Sequence, residues 1–158
     1  ETPVALDPTE WDGVWVYKDG AVHVKTRDAA AGILCAAQVE FHDGAPTLTS
    51  TLLYVRETGD LLFASMAEEP ENAASAPGAK RYLWGVLKKD GDTAILWGPD
   101  HEAFGRFVTG KRLPGALEDK NVRLEKLNSE QQNLIAGAAA GELFAWREPA
   151  VFTRVSKK

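Results

Sequence analysis

Apolar and polar positions alternate along this chain in runs of about five to nine residues, separated by turn residues. Period two over such lengths is the signature of half-buried strands, and strands repeated at this spacing predict an antiparallel barrel or sandwich. Gly13 to Lys18 leads through Asp19-Gly20, a hairpin signal, into Ala21 to Thr26. Ile33 to Phe41 places Ile33, Cys35, Ala37, Val39 and Phe41 on one face and Gln38, Glu40 and His42 on the other, and Asp43-Gly44 closes it. Thr47 to Arg56 turns at Thr58-Gly59-Asp60 into Leu61 to Met66. Arg81 to Lys88 pairs through Lys89-Asp90-Gly91-Asp92 with Thr93 to Trp97, and Ala103 to Lys111 reads as the last strand of this series. The count comes to about eight strands, the number with which a closed barrel holds one small ligand.

Other stretches read differently. Glu68 to Ala79, rich in Pro, Ala and Glu, predicts a surface loop that could serve as a lid. Leu113-Pro114-Gly115 breaks the strand pattern, and Val122 to Leu127 is a further short extended segment. Ser129 as N-cap with Gln132 as its capping-box partner predicts a helix over Glu130 to Ala140, stopped at Gly141. Leu143 to Trp146 and Ala150 to Val155, either side of Glu148-Pro149, complete the chain as a terminal strand. The expectation is one domain spanning residues 1–158: all-β with one short C-terminal helix, folded as an antiparallel up-and-down barrel.

Bulk chemistry narrows the function classes. At 158 residues the chain can bury the core of one domain. A net charge of −5, with Lys and Arg scattered, argues against nucleic acid as a partner, because phosphate binding needs a concentrated basic surface. No apolar run reaches the ~20 residues of a membrane-spanning helix. The first residue is Glu1 and not Met, which fits a processed precursor and a trimmed chain equally. Cys35, the only cysteine, sits in an apolar run and reads as a buried inert thiol.

The sequence 9–19, TEWDGVWVYKD, concentrates two of the five tryptophans at the first strand. Gly13-Val14-Trp15 here, a series of hairpins, and Arg154 on a final strand together resemble the calycin superfamily, lipocalins especially, in a divergent bacterial form. The resemblance implies that Trp15 plugs the closed end of the barrel and that Arg154 packs over its indole, an arrangement that gains cation–π energy of ~0.5–2 kcal/mol. Gly13, Trp15 and Arg154 are therefore candidates for barrel closure. The chain departs from orthodox lipocalins in lacking a Thr-Asp-Tyr motif, the corresponding region reading Gly91-Asp92-Thr93-Ala94, and in the shortness of its helix. Trp11, four residues before Trp15, either shares its strand face or belongs to a turn that caps the barrel.

Candidate ligand contacts come from strand faces. Tyr82, Trp84 and Val86 share one face, and Thr93, Ile95 and Trp97 share another; if both point inward, they line an apolar cavity, and if not they pack a solid core. Tyr54 and Arg56 pose the same alternative. Arg106, flanked by Phe104 and Val108, either clamps an acidic ligand or reaches water at the barrel end. The candidate ligand-binding set is thus Tyr54, Tyr82, Trp84, Trp97 and Arg106. His23, His42 and His101 show no metal spacing, and no motif of a nucleophile, a nucleotide loop or a zinc site occurs, so no catalytic residue, metal or cofactor is assigned.

Three functions fit. The first is noncatalytic binding of a small hydrophobic molecule in the barrel, in the periplasm, cell envelope or extracellular space. The second is a protein-interaction or inhibitor module of the envelope with a filled barrel. The third is a barrel-type isomerase or cyclase, which requires an ionisable residue such as Tyr54, Arg56 or Arg106 to face a cavity.

Overall fold

A computed structural model describes residues 2–42, 45–68, 81–118 and 121–155, with the backbone alone at 40–42, 68 and 81. Of the lid expected over Glu68 to Ala79, only the Glu68 backbone is described, as the end of a strand; the rest and the turn at Asp43-Gly44 lie outside the described residues.

In chain order the elements are β1 (Thr2–Pro3), α1 (Pro8–Trp11), β2 (Gly13–Tyr17), β3 (Gly20–Asp28), β4 (Ile33–His42), β5 (Ala45–Thr58), β6 (Leu61–Glu68), β7 (Arg81–Asp90), β8 (Thr93–Trp97), α2 (His101–Thr109), β9 (Gly115–Glu118), β10 (Asn121–Leu124), α3 (Ser129–Ala136), α4 (Ala140–Leu143) and β11 (Ala150–Arg154). Strands β2 to β8 form an antiparallel meander, β11 inserts between β8 and β2, and β5 also pairs with β6. Among the described residues the result is a closed barrel of eight strands, as expected of a calycin-like fold. Closure removes the sheet edges that an open sheet would leave unpaired. The short β1 pairs with β5 at Arg56 and Glu57, beyond the point where β4 begins, and β9 and β10 form a separate hairpin. No helix among the described residues is long and apolar enough to cross a membrane.

Side-chain alternation divides the apolar residues between two cores. Trp15, Val24, Leu34, Val55, Leu87 and Ala94 point into the barrel and meet Leu6 and Trp11 from the N-terminal segment. Phe63 and Val86 point out of it and are buried beneath Phe104, Phe107, Ile135, Leu143 and Phe144 of the helical region. The helices thus cover the outer face of β6 to β8, and Trp84 and Trp97 pack into that second core.

Several expectations are corrected here. Ala103 to Lys111 is no strand: it belongs largely to α2, whose N-cap Asp100 accepts a hydrogen bond from the Ala103 amide at 2.9 Å. Ala103, Phe104 and Phe107 fall on one buried helical face, whereas a strand would have paired Phe104 with Arg106 and Val108. On β4 the buried residues are Leu34 and Ala36, so the inward face is opposite to the one that Cys35, Ala37 and Val39 define; Cys35 is half-buried and Val39 is 56% exposed. Residues 33–37 are apolar on both faces, so alternation there does not distinguish them. The capping box lies one residue earlier than expected, at Asn128 and Gln131, and Gly137 ends α3 short of Ala140. Leu143 to Trp146 is the end of α4 and a loop, tied to the sheet by a single bridge from Phe144 to Pro99.

The helical assignment of α2 makes unequal demands on two neighbouring residues. Phe104→Ala should cost about 3–5 kcal/mol in a denaturant titration, whereas the exposed Arg106→Ala should stay within about 0.5 kcal/mol of the native chain. A strand would give Arg106 and Phe104 comparable weight.

Candidate functional site

The closed end of the barrel is built from the opening segment and the last residues. Asp7 caps α1, accepting hydrogen bonds from the Thr9 amide and hydroxyl at 2.8 Å each, and α1 carries Trp11 across the barrel end. Trp11 is thus in a helix, not on the strand of Trp15, yet the two indoles lie with centroids 6.3 Å apart. The Trp15 indole N–H donates to the Trp11 carbonyl at 2.9 Å, satisfying the one polar atom of a residue only 2% exposed.

Two cations flank this pair. Arg154, directly opposite Trp15 in the β2–β11 ladder, holds its guanidinium 5.9 Å from the Trp15 ring centroid. Its Nε donates to Asp92 Oδ1 at 2.6 Å and its Nη1 to the Thr9 carbonyl at 2.5 Å. The Lys89 ammonium lies 5.4 Å from the Trp11 centroid and 3.1 Å from Glu10 Oε2. Gly13 admits this packing: its φ is +144°, and a Cβ there would meet the Arg154 side chain at 3.4 Å. The structure therefore brings Gly13, Trp15 and Arg154 into one assembly at one end of the barrel.

The candidate ligand contacts fall elsewhere. Alternation from the inward Val55 and Leu87 turns Tyr54, Tyr82, Trp84 and Trp97 away from the lumen. Tyr54 and Tyr82 meet edge to face on the outer surface at 6.4 Å, and Arg56 lies 5.6 Å from the Tyr54 centroid while donating to the carbonyls of Ala31 and Val55. Trp84 packs edge to face on Phe104 and Phe144, and Trp97 against Trp146. Arg106 is exposed on α2. None of these five side chains faces the lumen: Trp84 and Trp97 serve the helical layer, Tyr54 and Tyr82 lie on the outer surface, and Arg106 is on α2. The enzyme reading loses its named ionisable residues with them. His23 is exposed, and His101 is the exposed first residue of α2.

The inward set that the sequence reading missed lies two residues along each strand from the floor. Tyr17 follows Trp15, Val22 precedes Val24, Leu53 precedes Val55, Leu96 follows Ala94 and Phe152 precedes Arg154. Ala64 joins them from β6. All six face the lumen yet are half-buried, above apolar floor residues that are at most 9% exposed. A solid barrel would bury such mid-strand side chains as fully as the floor. Among the described residues these six therefore form an apolar inner wall above the floor, a cup that faces away from α1. Gly85, beside Ala64 in the ladder, holds one wall close: a Cβ there would collide with the Trp97 carbonyl oxygen. The signal for this set was the phase of Trp15 and Arg154 continued along each strand.

A second concavity, an open groove of about 850 Å³, lies outside the barrel over β2 and β3, with Asp12, Val14, His23, Lys25 and Arg154 among its lining residues. Its acid and its two cations are already engaged: Asp12 with Lys25 and the Thr26 amide, Arg154 with Asp92. Burial would raise the Asp12 pKa, but the hydrogen bonds from Lys25 and Thr26 outweigh it and hold the carboxyl below its ordinary 3.8. The hydrogen bonds from Thr9 likewise hold Asp7 below 3.8.

Two outcomes follow for the closed end. Arg154→Met should cost about 1–3 kcal/mol in a urea titration, through the lost indole and carboxylate contacts. Because the folded Asp7 and Asp12 pKa values are depressed, their contribution to stability is present above pH 3.8 and is lost as pH falls through the folded values. The thermal midpoint should drop on acidification below about pH 4, and Asp12→Asn should shrink that drop.

Comparison with known proteins gives no match to a family model, a curated protein or a solved structure.

Proposed function

We propose that the protein is a noncatalytic, lipocalin-like barrel that binds a small hydrophobic molecule in the cup opposite α1. The observation that carries this reading is the contrast within one lumen: a sealed floor around Trp15 and half-buried apolar walls above it. Apolar concavities with few polar groups are the usual form of small-molecule sites. Burying a ligand there exchanges apolar surface in water for contact, worth about 25 cal/mol per Å². The ligand side chains are Val22, Leu53, Ala64, Leu96 and Phe152, with the Tyr17 ring 5.3 Å from Phe152. An envelope or extracellular location belongs to this proposal.

A second reading, a protein-interaction module, is favoured by one specific feature. Val14 and Val16 on the outer face of β2, Val151 on that of the adjacent β11, and Val155 just past its end are each 40–53% exposed, beside the open groove and away from the helical layer. Contiguous apolar surface of this kind marks contact sites more often than scattered single residues do.

The ligand reading is tested by calorimetric titration with a panel of small uncharged apolar compounds. Saturable binding to the native chain is expected, with a loss of at least about tenfold in Ala64→Trp, which fills the cup. Val14→Glu should leave that binding unchanged. If the native chain binds none of the panel, or Val14→Glu abolishes the binding and Ala64→Trp does not, the proposal fails.

A further inference from the structure

Strand length limits what the cup can hold. The floor is set by Trp15 on β2, Ala94 on β8 and Arg154 on β11, and each of these strands has only five residues. Above the floor, β2 continues by two residues to Tyr17, β8 by three to Trp97, and β11 by four to Ala150. At about 3.3 Å per residue, this side of the wall stands roughly 7–13 Å high. The opposite wall is taller, since β4 and β5 have ten and fourteen residues. The cup is therefore shallow on one flank, and a long ligand would leave it over β2, β11 and β8.

Lumen chemistry adds a second limit. The inward cations Lys89 and Arg154 both sit at the closed end, occupied by Glu10 and Asp92 and by the two indoles, and Glu57, on the face of Val55, is exposed beyond the floor at that same end. The walls offer apolar side chains of modest size, with Ala64 beside Gly85 in the ladder, and on the tall side the uncharged polar Gln38, Thr49 and Thr51.

We infer that the cup takes a short or compact uncharged apolar molecule, of about eight to ten carbons in length or the equivalent in one or two rings, and does not enclose a long acyl chain. This rests on the ligand reading above. Each methylene that enters the cup should raise affinity roughly fourfold, and a methylene beyond the low wall should add little.

Calorimetric titration of the native chain with a series of 1-alkanols, from butanol to dodecanol, reads this directly. Affinity should climb about fourfold per carbon and then level off at about eight to ten carbons. In Leu53→Phe, which takes up room in the wall, the plateau should arrive at a shorter alkanol. A climb that continues unbroken to dodecanol would overturn the length limit and leave the ligand reading standing. Absence of binding at every length would instead overturn the ligand reading, and the length limit with it.

Discussion

The barrel closes at its seam through a ladder of two residue pairs. The β2–β11 ladder aligns only Val16 with Thr153 and Trp15 with Arg154, and the second pair carries most of the chemistry. Arg154 lies against the Trp15 indole, bridges to Asp92 in the β7–β8 turn and donates to the Thr9 carbonyl before α1. One side chain thus ties the first barrel strand, the last one, a turn and the N-terminal cap. Its partner Trp15 could not be buried unless its N–H were satisfied, and the Trp11 carbonyl does that. With the end sealed in this way, any opening into the lumen must lie at the other end.

Phase then decides the rest. Once Trp15 and Arg154 point inward, every second residue on each strand does so too, and the remaining apolar residues are turned outside. On β6 to β8 those outward residues include Phe63, Trp84, Val86 and Trp97, too much apolar surface to leave in water. The chain covers them with the segment between β8 and β11, where Phe104, Phe107, Leu143 and Phe144 supply the facing layer. The valines of β2 and β11 receive no such cover. The most aromatic strands therefore line a structural interface, and the candidate ligand site is built from plainer residues such as Val22, Leu53, Ala64 and Leu96.

The barrel was legible in the sequence because turn residues and period-two alternation mark strands locally. Gly13-Val14-Trp15 and Arg154 were legible as an assembly because a resemblance linked residues that local pattern cannot connect. The site was not legible, for two physical reasons. Strands such as Tyr82 to Leu87 are apolar on both faces, so alternation alone leaves inside and outside undetermined, and aromatic size favours the wrong face. Phe104, Arg106 and Val108 alternate like a strand, but Asp100 caps a helix in which Ala103, Phe104 and Phe107 align. An N-cap aspartate two residues before Glu102 was the signal that outweighs the alternation.

The central claim is that a small apolar molecule enters above the Trp15 floor. Methyl-resolved nuclear magnetic resonance of the full chain during titration with octanol tests it most directly. The account predicts shifts concentrated on the methyls of Val22, Leu53, Ala64 and Leu96, with Val14, Val16, Val151 and Val155 unmoved. Shifts confined to those four outer valines, or an unchanged spectrum at saturating octanol, would contradict it.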